Sequence, residues 1–164
     1  WQQLQEKRRA AQMTVLLTEY INNAAELVAS EEAFSVQIGS LEVRGKIDRI
    51  EKTDTGYQVV DLKTGRSAPS QAEVACNRQL AVYQLAVSQA LGESAGARIV
   101  SIGSGKLREI DQPPLTPQSK QELQDLVGEI ANQLNQGVFV AQAQEHCSAD
   151  ASCQLLLIPG VTGG

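Results

Sequence analysis

Several features are scarce in this sequence, and each scarcity excludes something. Three cysteines in 164 residues, Cys76, Cys147 and Cys153, are too few and too odd in number for a disulfide-built scaffold, and they point to a reducing compartment, the cytoplasm. Aromatic residues make up only 4 %, so a core must come from Leu, Val, Ile and Ala, as in ordinary α/β domains. No apolar run approaches the roughly 20 residues of a membrane span. Excess positive charge is missing too: the net charge is −5 with pI near 4.9, which argues against a free-standing protein that holds nucleic acid by charge alone. No basic, apolar leader is present, and a chain beginning at Trp1 reads as a piece of a longer protein. Its length suits one domain that buries about 70 % of its unfolded surface.

What is present centres on residues 45–65. Gly45-Lys46-Ile47-Asp48-Arg49-Ile50 is followed by a turn at Asp54-Thr55-Gly56 and then by Val59-Val60-Asp61-Leu62-Lys63-Thr64-Gly65. Strand side chains alternate, so Asp61 and Lys63 share one face while Val60 and Leu62 take the other. Pairing the two runs as a hairpin brings Asp48 towards Asp61. Two carboxylates and a lysine in one patch can hold a hard divalent cation and position a water. The segment is also locally basic. Arg44, Lys46, Arg49, Lys52, Lys63 and Arg66 outnumber Asp48, Glu51, Asp54 and Asp61.

Around this patch, apolar positions at three- and four-residue intervals predict a helix over about 3–29, with polar first turns that are either frayed or set against something outside the chain. Phe34, Val36 and Ile38 alternate, Gly39-Ser40 makes a tight turn, and Leu41 and Val43 alternate again. A three-stranded meander results. Glu31 and Glu32, just before the first strand, are either candidate outer carboxylates or simply solvent-exposed. A helix over 71–91 follows, placing Gln79 and Tyr83 on one face, then a strand over 98–103 and a strand-to-strand turn at Ser104-Gly105-Lys106. That turn lacks the glycine spacing and the hydroxyl residue of a phosphate loop, since Leu107 follows the lysine. Thr116-Pro117 opens a last helix that Gly137 ends. The domain is expected to span 1–137, with a tail over 138–164.

G-x-I-D-R-I, an Asp48-to-Asp61 interval, D-x-K-T-G and Q-x-x-x-Y together resemble the RecB-type nuclease branch of the PD-(D/E)XK superfamily. The likeness is good over about 31–106 and elsewhere lies in layout. It implies a central mixed β-sheet flanked by helices, with a restriction-endonuclease-like core. It also implies that Asp48 and Asp61, with the Leu62 carbonyl, ligate Mg²⁺ or Mn²⁺, and that Lys63 activates the attacking water. Gln79 and Tyr83 would contact DNA or brace the lysine, with Arg49 and Arg66 as cations for the DNA. The helix over 71–91 would pack over the catalytic strands. The family usually carries a metal-binding histidine well upstream. Here the sole histidine is His146, so that ligand belongs to a longer parent chain or the site is incomplete.

Some relatives hold an iron–sulfur cluster through four cysteines. Cys147 and Cys153 have no third partner after them, which argues against a cluster, and with His146 they lack a fourth ligand for zinc. By resemblance the domain is expected to be an exonuclease attached to a bacterial helicase, acting on DNA in double-strand break repair and recombination, with a second helicase-nuclease subunit as a further partner. Two other readings remain at this stage. One is an ion-pair cluster on a β-meander; the other is a catalytically incomplete domain that binds DNA or docks a partner subunit.

Overall fold

The computed structural model describes residues 1–137 of the chain. The expected tail over 138–164, with His146, Cys147 and Cys153, lies outside the described residues. Two compact units divide the chain, Trp1–Gly128 and Glu129–Gly164. In the first, helix α1 (Gln2–Asn23) precedes strands β1 (Glu26–Ile38), β2 (Leu41–Thr53) and β3 (Gly56–Lys63). Helices α2 (Gln71–Ala75) and α3 (Arg78–Ala90) follow, then β4 (Ser94–Ser101), β5 (Arg108–Gln112) and the start of α4 (Pro117–Gln136). Of the second unit, the described part is the end of α4, where Gly137 has φ 64° and its N–H donates to the Leu134 carbonyl at 3.2 Å.

One five-stranded sheet runs β1-β2-β3-β4-β5, with β3 and β4 parallel and the other neighbours antiparallel. This is the mixed, helix-flanked sheet expected from the sequence. Both faces are covered, and adjacent residues of β3 divide between them. Val60 packs with Tyr20, Val100 and Ile102 beneath α1, whereas Val59 joins Ile50, Leu80, Tyr83, Val87 and Ile99 beneath α3. A third cluster, Val36, Ile38, Leu85, Ala86, Leu123 and Val127, binds β1 and α3 to the first turns of α4.

Three expectations need correction. The first helix ends at Asn23, not near residue 29, because Ala24 is already extended with ψ 159°. Leu27 instead pairs with Glu51 as the start of β1. The apolar spacing of Leu27 and Val28 mimicked a helical stripe, yet both side chains remain exposed. The expected 71–91 helix is two helices. Ser70 closes a capping box on α2, and Asn77, in an extended conformation, caps α3 by accepting the Leu80 N–H. Each cap satisfies amide donors that a continuous helix would have bonded internally. Thirdly, the polar first turns of α1 are tied down: Arg9 donates to the Thr64 carbonyl at 2.5 Å, Arg66 pairs with Glu6 at 3.1 Å, and Gln12 donates to the Gly105 carbonyl at 3.1 Å.

Candidate active site

The β2–β3 hairpin brings the two carboxylates together. Arg49 pairs with Val60, so the next position outward sets Asp48 across from Asp61. Alternation on β2 would send Ile47 and Ile50 to opposite faces, yet both enter the cluster under α3. The face changes between them. Opposite this point on β1, Glu31 adopts φ 55°, the one positive φ of a non-glycine residue among the described residues. Asp48 shares the α3 face with Ile50, two positions on, where Asp61 also lies. Asp48 is then held in place, because its Oδ2 accepts the Leu62 N–H at 2.9 Å. Upstream, a Cβ on Gly45 would sit 2.7 Å from the Phe34 ring, so a larger residue there would displace that ring.

Asp61 is buried, and Lys63 Nζ stands 2.7 Å from its Oδ2. Lys63 is thus the charged partner of this buried oxygen. Burial pushes the Asp61 carboxyl above the usual aspartate range. Lys63 opposes that shift and the nearby Asp48 charge adds to it.

The remaining candidates fall in different places. Gln79 Nε2 donates to the Tyr83 hydroxyl at 2.6 Å, and Tyr83 meets Phe34 edge to face at 5.4 Å. This pair is therefore fastened to the same ring that overlies Gly45. Glu31 forms an exposed ion pair with Lys46. Arg49 is part-buried and pairs with the buried Glu51 at 2.5 Å, and Glu51 also accepts from the Tyr20 hydroxyl at 2.8 Å. That network lies on the α1 side and not with the carboxylate patch. Arg66 is exposed and paired with Glu6.

Two contributors went unread in the sequence. Arg9 binds the backbone immediately after Lys63, a contact across the whole β-meander that no local pattern signals. Ser101, in register with Lys63 on β4, is fully buried with an unpartnered Oγ. One signal did exist: Ser101 is a polar residue within the apolar run Ile99-Val100-Ser101-Ile102.

The donor set fits a hard divalent cation. It comprises carboxylate oxygens of Asp48 and Asp61, the latter buried, next to the Leu62 backbone. Among the described residues no group of three or more His, Cys, Asp or Glu side chains could hold a metal. Two carboxylates suffice where substrate phosphate oxygens and waters complete an octahedral ion.

Comparison with known proteins bears on the family and the fold. The family model of the PD-(D/E)XK nuclease superfamily matches residues 1–155; its members generally use divalent metals. No curated protein matches the chain. The crystal structure of SSO0001 superposes with a TM-score of 0.50 at 18 % identity, covering 94 % of this chain and 68 % of that one. At that identity the likeness speaks for the fold alone.

Proposed function

The chain belongs to the PD-(D/E)XK nuclease superfamily, and we propose that it is a divalent-metal-dependent DNA nuclease domain whose reacting groups are Asp48, Asp61 and Lys63. The observation that carries this reading is the buried Asp61 carboxylate paired with Lys63 at 2.7 Å beside Asp48. Asp48, Asp61 and the Leu62 carbonyl would hold Mg²⁺ or Mn²⁺, which when bound supplies charge neutralisation at the phosphate and a water acidic enough to attack. Hydrolysis adds the oxygen of water to phosphorus, breaks one ester bond and leaves a proton on the departing oxygen. Lys63 orients that water and offsets charge developing on the phosphate oxygens. Asp48 is kept in position by the Leu62 amide.

The further reading is an exonuclease joined to a helicase in the same parent chain, acting on broken DNA ends in the bacterial cytoplasm with a second helicase-nuclease subunit. It is supported by the motif set alone. A second reading, an incomplete domain that binds DNA or a partner without cutting, is favoured by the lack of a third metal-ligating side chain among the described residues. Linear DNA incubated with Mg²⁺ or Mn²⁺ and either the wild type or Lys63→Ala separates the two. The nuclease reading expects cleavage that the substitution abolishes while DNA binding persists. Cleavage that survives in Lys63→Ala would refute the assigned roles, and DNA binding without cleavage by the wild type would favour the incomplete domain.

A further inference from the structure

Lys63, Ser101 and Arg108 form one row across three neighbouring strands, since Lys63 pairs with Ser101 and Ser101 with Arg108. Residues directly opposite share a face, and strands lie about 4.8 Å apart, so the backbone of Arg108 is about 10 Å from that of Lys63 on the Lys63 side of the sheet. Beside this row opens a cavity of about 300 Å³ lined by Ala68, Ser104, Lys106 and Arg108. Ala68 comes from the loop after Lys63, and Ser104 and Lys106 from the turn between β4 and β5. The turn is pressed onto the catalytic strand. Ile102 N–H donates to the Lys63 carbonyl at 3.0 Å, and a Cβ on Gly103 would lie 2.0 Å from the Thr64 carbonyl oxygen.

Seven of the 14 Lys and Arg residues form no ion pair among the described residues, and two of those seven, Lys106 and Arg108, line this one cavity. Arg44, Lys46, Arg49, Arg66 and Arg98 each pair with a carboxylate. Lys106 and Arg108 are exposed, and neither forms an ion pair among the described residues. On a chain of net charge −5, two uncommitted cations and a hydroxyl around one small cavity make a local anion site at the end of the catalytic row.

We propose that this cavity holds a backbone phosphate of the DNA strand being cut, adjacent to the scissile bond. This assignment rests on the nuclease reading and extends it. The cavity fixes where along the strand the scissile phosphate meets Asp48, Asp61 and Lys63.

The test is fluorescence anisotropy of a labelled linear duplex in the absence of divalent metal, over about 50 to 200 mM salt, with steady-state cleavage measured alongside. The wild type is compared with Lys106→Ala/Arg108→Ala and with a control of equal charge loss, Lys52→Ala/Lys120→Ala, in which Lys52 lies at the far hairpin end of β2 and Lys120 on α4. We expect the cavity variant to bind about tenfold more weakly, with a log–log salt slope reduced by about one to two. Its KM should rise while kcat stays within about threefold, and the control should shift each quantity far less. A cavity variant that cuts with unchanged KM and salt slope would overturn the cavity assignment and leave the nuclease reading standing. A wild type that neither binds nor cuts DNA would overturn both.

Discussion

Asp48 accepts the backbone N–H of Leu62 at 2.9 Å, so the first carboxylate of the site is fastened to the strand that carries the second. The bond spans the two strands at the point where β2 changes faces, and it fixes the spacing of the pair without consuming the other Asp48 oxygen. Removing it has a defined consequence. Asp48→Ala should leave the Leu62 amide without an acceptor and lower unfolding free energy by about 1–2 kcal/mol, whereas Asp48→Asn, which keeps a carbonyl acceptor, should stay close to wild type. Urea denaturation distinguishes them. Equal stability of the two variants would show that the bond contributes nothing.

Asp61→Asn should stabilise the metal-free protein at neutral pH, and the sign follows from the raised carboxyl. Between the ordinary aspartate value and the raised folded value, the native state binds more protons than the unfolded state. Stability therefore falls as pH rises through that window. Asparagine carries no such penalty. The gain of Asp61→Asn over wild type should be largest above the window and vanish below the ordinary aspartate value. Cleavage by the same variant should fall by about a hundredfold or more. Thermal melts across pH test the first part, and a gain independent of pH would contradict it.

Arg9→Ala should loosen the backbone that follows Lys63, because Arg9 donates to the Thr64 carbonyl. A loss of about 1 kcal/mol in stability is expected, with kcat falling more than KM rises. Arg9→Lys should recover only part of the loss, since a single ammonium does not reproduce the guanidinium fork. A kcat unchanged in Arg9→Ala would mean that the docking of α1 is irrelevant to the site.

Much of this was legible in the sequence, and the failures have a common origin. The Gly39-Ser40 turn, the shared face of Asp61 and Lys63, and the Gln79–Tyr83 contact are all consequences of local periodicity, and the structure contains each of them. The face change between Ile47 and Ile50 is not local. It coincides with Glu31 of the neighbouring strand adopting φ 55°, which alternation along β2 alone cannot reveal. The docking of Glu6, Arg9 and Gln12 against residues 64–66 and 105 is likewise a tertiary event, invisible in a run that reads as a solvated helical face. The break between α2 and α3 was marked by Asn77, a capping residue inside an apolar period. There, the period outweighed the cap in the reading.

The most direct measurement of the central claim is a calorimetric titration of Mn²⁺ into the wild type and into Asp48→Asn and Asp61→Asn, with folding checked by circular dichroism. A two-carboxylate site predicts binding by the wild type that is lost in both folded variants. Wild-type binding that survives unchanged in both variants would place the metal elsewhere and contradict the assignment of Asp48 and Asp61.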